Sequence, residues 1–331
     1  MKSYDDDDIS HVRFVNVQEI KEEILRYKPG SFLEEAGGLQ RSDYDIPKTT
    51  TLLLIGPRGS GKSSLVNKIS RFLEHDEFAS ERAQVSYNLS GDGTHFLHEY
   101  MIPKGSTSFS VFDTRSLSED SSENFKLLRN WMTKGVQHGR MVMRNSDSPT
   151  VKTIMKNKAR HTLHSSSKKR MVNFVIFVVD GVSVLKAMTD EDSTQYTKTV
   201  SKAFNYPYLS FKDDKPVVVI THGDELAPAD RVLVRIHLGE LLGISPVTQI
   251  FDIPDNNDVP TDTAIVKMLR HSLEHADRNL PLKKDSPVTM IVTIALIVVI
   301  VVLLLLKLTN KGVAGRQSHI HRDWAKIRHI W

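Results

Sequence analysis

The chain contains no cysteine. Disulfides, thiolate metal sites and cysteine nucleophiles are therefore excluded, as suits a reducing compartment. Fourteen histidines show no metal-ligand spacing; His319, His321 and His329 cluster in a polar tail that lacks a carboxylate framework, so no metal is expected there. The N-terminal stretch MKSYDDDDIS has no apolar core and does not read as a secretory signal. No internal repeat is visible. Long apolar runs are scarce, with one exception: Val288–Leu306, 19 residues without a charge. At about 1.5 Å per residue a helix of this length reaches roughly 28 Å, close to the ~30 Å hydrocarbon core of a bilayer. Lys283, Lys284 and Lys307 bracket it, and a transmembrane helix is expected.

Uniform positive charge is also lacking, despite a pI near 9.0. Residues 140–170 carry nine Lys/Arg against the single acid Asp147, a net +8, and residues 307–331 carry six against Asp323, a net +5. Removing both patches from the overall +4 leaves −9 for the remainder. Two basic patches on an acidic body do not describe a nucleic-acid-binding surface, and no nucleic-acid partner is expected.

The 331 residues, 40% of them hydrophobic, suffice for a full α/β core. Residues 1–48 read as an N-terminal extension, with Val17, Ile20, Ile24 and Leu25 on a short amphipathic helix. TTTLLLIG, FSVFD, MVNFVIFVVDG, PVVVITHG and VTQIFDI are nearly continuous apolar runs, as expected of strands buried on both faces of a parallel sheet. Further strand-like material lies at 84–89 and 95–102. Helices are expected at 62–74, 122–137, around 192–204, 228–242 and 261–276, the fourth opened by Pro228. This alternation predicts a three-layer α/β domain with a mainly parallel sheet over 49–280, and the glycine-rich motif Gly56–Ser63 within it makes a P-loop NTPase domain the expected fold. The basic, serine-rich segment 139–170 interrupts it and reads as a loop. A linker (281–287), the transmembrane helix (288–306) and a basic tail (307–331) complete the expected organisation.

GPRGSGKS, Gly56–Ser63, fits G-x-x-x-x-G-K-[ST] between a predicted strand and a predicted helix. Gly56, Gly59 and Gly61, with Arg58 and Ser60, would let backbone N–H groups converge on phosphate oxygens at the positive end of the helix. Lys62 would reach the β- and γ-phosphates, the Ser63 hydroxyl would ligate Mg²⁺, and Ser64 is placed to donate to the α-phosphate. Two apolar strands end in aspartate. Asp113 is the preferred second metal group, being 50 residues beyond Ser63, whereas Asp180 reads as a helix cap. Thr221-His222-Gly223-Asp224 stands where many GTPases carry [NT]-K-x-D. The Asp224 carboxylate could accept from the ring N–H and exocyclic amine of guanine, a donor pair adenine lacks, and His222 could stack along the base. The bland alternative is that Asp224 only caps the following helix.

The series GPRGSGKSS, FDTRSL, VVVITHGDEL and ISPVTQIFDIPDNND resembles the septin-like P-loop GTPase superfamily, closest to the interferon-induced protein 44-like group and to plant P-loop NTPases with a C-terminal anchor. It covers about residues 50–275, and chloroplast import receptor GTPases are similar in layout. The resemblance implies GTP/GDP and Mg²⁺ as cofactors and self-association or a protein partner through the G domain. It also marks departures. Ser116 stands in place of the glycine whose N–H meets the γ-phosphate, and Leu117 where some GTPases place a water-orienting glutamine. Thr94 is the switch-I candidate and Ser116 the switch-II one. GTP hydrolysis is expected to be slow or partner-assisted. The other readings are an ATPase or kinase, and a tail-anchored scaffold that binds nucleotide without turnover. A single C-terminal anchor, with the nucleotide domain in the cytosol, is expected at an organelle outer membrane or the endoplasmic reticulum.

Overall fold

The computed structural model describes residues 17–34, 37–74, 82–83, 94–162, 168–283 and 294–307. Its contacts divide the chain into Met1–Pro281 and Leu282–Trp331. In the first unit the strands are β1 (Thr50–Ile55), β2 (His98–Met101), β3 (Phe109–Asp113), β4 (Phe174–Asp180), β5 (Val217–Thr221) and β6 (Ile250–Asp252). The helices are α1 (residues 17–26), α2 (Lys62–Glu74), α3 (Ser121–Lys134), α4 (Pro149–Thr162), α5 (Gly181–Thr189), α6 (Gln195–Phe204), α7 (Pro228–Leu242) and α8 (Val259–Arg278).

The sheet runs β2-β3-β1-β4-β5-β6, parallel throughout except for the antiparallel edge strand β2. From β1 the chain builds outward on both sides, so the loop after β1 lies where the strand order reverses, the crevice in which open α/β sheets bind ligands. Alternate side chains of each strand feed two cores. Leu52 and Leu54 pack with α1, α2 and α8, through Ile24, Val66, Ile69, Leu269 and Leu273. Leu53 and Ile55 face the opposite layer, with Leu128, Val184, Val200, Phe204 and Leu238 from α3, α5, α6 and α7. Both faces being covered explains why the strands are apolar runs without alternation. On α7 the packed side is Val234, Leu238 and Leu242, leaving Leu233 and Ile236 exposed.

Residues before β1 are part of this core. Asp277, fully buried near the end of α8, accepts hydrogen bonds from the Tyr27 hydroxyl (2.8 Å), Gly30 N–H (2.8 Å) and Phe32 N–H (3.0 Å). Tyr27 also meets the Thr50 hydroxyl at the start of β1, at 2.7 Å.

The segment 139–170, expected to be a loop, contains α4. Pro149 occupies the first helical turn, and the Ser148 carbonyl and hydroxyl receive the Lys152 and Val151 N–H groups at 3.0 and 3.2 Å. Met155 is buried; the run of lysines around it hides the helical apolar spacing in the sequence. Helix α5 begins directly after Asp180, the residue read from sequence as a helix cap. The expected strand at 84–89 lies outside the described residues.

In the second unit, residues 294–307 are helical with their apolar side chains exposed, Leu296 at 62%. Residues 288–293 of the expected span lie outside the described residues. Among the described residues no helix is long and apolar enough to cross a membrane.

Candidate functional site

The turn after β1 demands glycine. A Cβ on Gly56 would sit 2.1 Å from the Val178 carbonyl oxygen and 2.6 Å from Ser60 Oγ, and Gly61 holds φ +73°. Lys62, the first residue of α2, is 5% exposed and folds back onto the loop. Its Nζ donates to the Gly56 carbonyl (3.1 Å), the Pro57 carbonyl (3.0 Å) and Ser116 Oγ (3.1 Å). Burial pushes its pKa down to about 8, opposed by Asp113 and reinforced by Arg144. Arg58 and Ser64 are exposed on this turn, whereas Ser60 is fully buried beneath it.

Ser63 and Asp113, in the first turn of α2 and at the end of β3, meet directly. The Ser63 hydroxyl donates to Asp113 Oδ2 at 2.6 Å, and Thr94 Oγ1 lies 3.4 Å from the same oxygen. Asp113 is 2% exposed and its Oδ1 has no hydrogen-bond partner among the described residues. Burial raises its pKa, against the pull of Lys62, Ser63, His98 and Thr94. His98, the residue opposite Asp113 on β2, has a pKa lowered by burial and by His138. A buried carboxylate oxygen with no partner among the described residues, beside the Ser63 hydroxyl, supplies oxygen ligands of the kind a hard divalent cation takes.

The stretch FDTRSLSED that leaves β3 is held at many points. Thr114 Oγ1 donates to the Leu54 carbonyl (2.7 Å), Leu117 N–H to the Gly56 carbonyl (2.9 Å), and Ser118 exchanges hydrogen bonds with Asn124 on α3. Asp120 caps α3 by accepting from Ser122 and Glu123 N–H. Serine is tolerated at position 116 because its hydroxyl has a use: it accepts from Lys62.

A second segment braces this loop. Residues 139–142 pair with 95–97, next to Thr94, through Gly139 N–H to Leu97 (2.8 Å), Leu97 N–H to Arg140 (2.9 Å) and Val142 N–H to His95 (2.9 Å). Beyond them Arg115 forms an ion pair with Asp147, whose carboxylate also accepts from Arg144 N–H at 2.7 Å. The Arg144 guanidinium donates to the Ser116 carbonyl. Burial and neighbouring Arg115 push its pKa down to about 10, partly offset by Asp147 and Glu123. Neither Arg144 nor Asp147 was recognised from sequence. The available signal was Asp147 itself, the lone acid among nine bases.

At the far side of the turn the three base-reading candidates differ. Thr221 is structural: its Oγ1 lies 3.2 Å from the Ser60 carbonyl and 3.1 Å from that of Val179, tying β5 to the P-loop. His222 adopts φ +56° and its Nδ1 is 3.0 Å from Asp180 Oδ1, a carboxylate that raises its pKa. Asp180 also caps α5 by accepting from Val182 N–H at 3.1 Å. Asp224 is exposed, with Oδ1 accepting from Asp255 N–H at 2.9 Å in the loop after β6.

No family model matches the chain, and no curated protein matches it. Solved structures with some likeness include a probable GTP-binding protein, EngB, at 11% identity and a TM-score of 0.35 over 69% of this chain and 99% of that one. The signal recognition particle receptor SRb with GDP and Mg, from Chaetomium thermophilum, is 17% identical with a TM-score of 0.30, over 59% of this chain and 71% of that one. The SRb-GTP/SRX complex of the same organism is 15% identical with a TM-score of 0.31, over 64% and 93%. The overlap is loose in all three, and what those proteins bind is not transferred to this chain. None of these findings places the chain in the septin-like group that its motifs resemble.

Proposed function

We propose that the chain binds GTP with Mg²⁺ at the P-loop and hydrolyses it slowly or with a partner's help. The observation that carries this reading is the convergence of Lys62, Ser63 and Asp113, whose Oδ1 no described residue partners. Ser63 and Asp113 would hold the metal, which supplies charge neutralisation to the phosphate oxygens when bound. Lys62 would exchange its loop carbonyls for phosphate oxygens, and the glycine turn would present its N–H groups. Asp224, exposed and bonded to only one backbone amide among the described residues, keeps acceptor capacity for the two guanine donors.

The supporting experiment titrates fluorescent GTP and ATP analogues against wild type and Asp224→Ala, with and without Mg²⁺. Preference for GTP in the wild type and its loss in the variant are expected; an unchanged preference would refute the guanine assignment in favour of an ATPase or kinase.

A second reading has its own support. The loop 113–120 is tied to β1, α3 and the 140–148 segment, and Leu117 offers no group to orient water. A scaffold that holds nucleotide without turnover would look like this, and single-turnover phosphate release, measured with and without a membrane extract, separates the two.

Membrane anchoring through Val288–Leu306 belongs to the same proposal. It is supported by 19 uncharged residues between lysines. The nucleotide unit would face the cytosol at an organelle outer membrane or the endoplasmic reticulum, where it meets itself or a partner protein. Protease protection of a C-terminal tag in intact organelles is the check; a cleaved tag would sink the lumenal-tail orientation.

A further inference from the structure

Arg144 comes from the segment that interrupts the α/β alternation, yet its side chain reaches the catalytic end of the sheet. Its guanidinium holds the carbonyl of Ser116 while Lys62 holds the hydroxyl of the same residue. Two cations thus flank one serine, close enough that the charge of Arg144 acts on Lys62. The neighbouring cation Arg115 is already matched by Asp147. Asp113, bonded to Ser63, is the buried acid facing Lys62, while Asp147 and Glu123 are the acids acting on Arg144. Arg144 also has capacity to spare, since its buried Nε has no hydrogen-bond partner among the described residues.

The position along the phosphate chain follows from the neighbours. In a P-loop the lysine addresses the β- and γ-phosphates. The resemblance gives the N–H of residue 116 to the γ-phosphate, and Arg144, held on the carbonyl of the same residue, would then stand beside the terminal phosphate. The backbone around Arg144 is anchored on both sides: residues 139–142 pair with 95–97, and Asp147 and Glu123 hold residues 144–146. A guanidinium fixed in this way loses little freedom when it binds phosphate.

Resting on the nucleotide-binding reading above, the geometry points to Arg144 as a γ-phosphate ligand supplied in cis, which engages the terminal phosphate of a bound nucleoside triphosphate and so distinguishes triphosphate from diphosphate. The same guanidinium, in the same place, stabilises the charge that develops on the phosphoryl oxygens during transfer, a contribution that neither Ser116 nor Leu117 can make.

The test measures the affinities of the full chain for GDP and for the slowly hydrolysed analogue GTPγS in Mg²⁺, with wild type, Arg144→Ala, Arg144→Lys and Arg144→Gln. The alanine variant is expected to lose about 10- to 100-fold in GTPγS affinity, with GDP affinity within about threefold, as for removal of one charge-assisted contact. Lysine should restore part of the loss. Glutamine, which keeps a donor for the Ser116 carbonyl, should preserve the thermal midpoint while still losing triphosphate preference; it stands in if the alanine variant fails to fold. Equal losses for GDP and GTPγS, or no loss for either, overturn the inference and leave Arg144 as a brace for the loop. A wild type that binds neither nucleotide, and matches Lys62→Ala, removes the nucleotide reading and this inference together.

Discussion

At the phosphate end Lys62 and Asp113 are almost fully buried and bonded across α2, β3 and the loop at 116, whereas at the base end Asp224 is exposed and meets one backbone amide. The first arrangement stores unfavourable desolvation that a phosphate and a cation would relieve. The second stores little, because water satisfies Asp224 until a base displaces it. On the proposed function, binding strength and base preference would be separable: the buried groups would set whether a nucleotide binds, and the exposed one which.

The largest break in this comparison is Lys62→Ala. It should weaken GTP and ATP analogues alike by about 100-fold or more, roughly 3 kcal/mol, the scale of a lost charge-assisted contact. Fluorescence titration reads it, and a loss confined to one nucleotide would mean that the two ends are coupled. Next is Asp113→Asn, expected to abolish most of the Mg²⁺ dependence of binding, about tenfold, while leaving affinity in EDTA near that of the wild type. Asp224→Ala should change the GTP-to-ATP ratio by about tenfold, with little change for ATP itself.

The smallest effect is predicted away from both ends. His271 on α8 stacks on His275 at 4.0 Å beside Phe174 and Phe251, facing His275, Asp214 and Arg278. Burial, then His275, pushes its pKa down to about 4. The unfolded chain thus binds the extra proton first, and this contribution to stability is lost as pH falls from about 6.5 towards 4. After allowance for solvent screening the loss by pH 5 is on the order of 1 kcal/mol. Thermal melts of His271→Phe should show a shallower decline over that window, with nucleotide affinities unchanged.

The two ends were also unequally legible in sequence. β1, α2 and the P-loop were readable because burial on both faces forces an apolar run and the turn at Gly56 excludes any Cβ. The Ser63–Asp113 approach followed from strands delivering their carboxyl ends to one crevice. Helix α4 and Arg144 were not readable. Their segment looks like a solvated basic loop, and the ion pair of Arg115 with Asp147 joins residues 32 apart that no local pattern connects. At the base end sequence gave His222 the part of a stacking group, while the fold engages its ring nitrogen with Asp180.

Asp277 sets the boundary of what can be separated from what. A polypeptide begun at Thr49 would keep every residue of the P-loop and every strand of the sheet. It would also carry a fully buried carboxylate stripped of the Tyr27 hydroxyl and the Gly30 and Phe32 amides. A core with an acid left unpaired in it tends to open or to take up a proton. A piece of this protein meant to fold by itself should therefore keep Tyr27–Phe32 together with Asp277, two stretches far apart in the chain that close on one another.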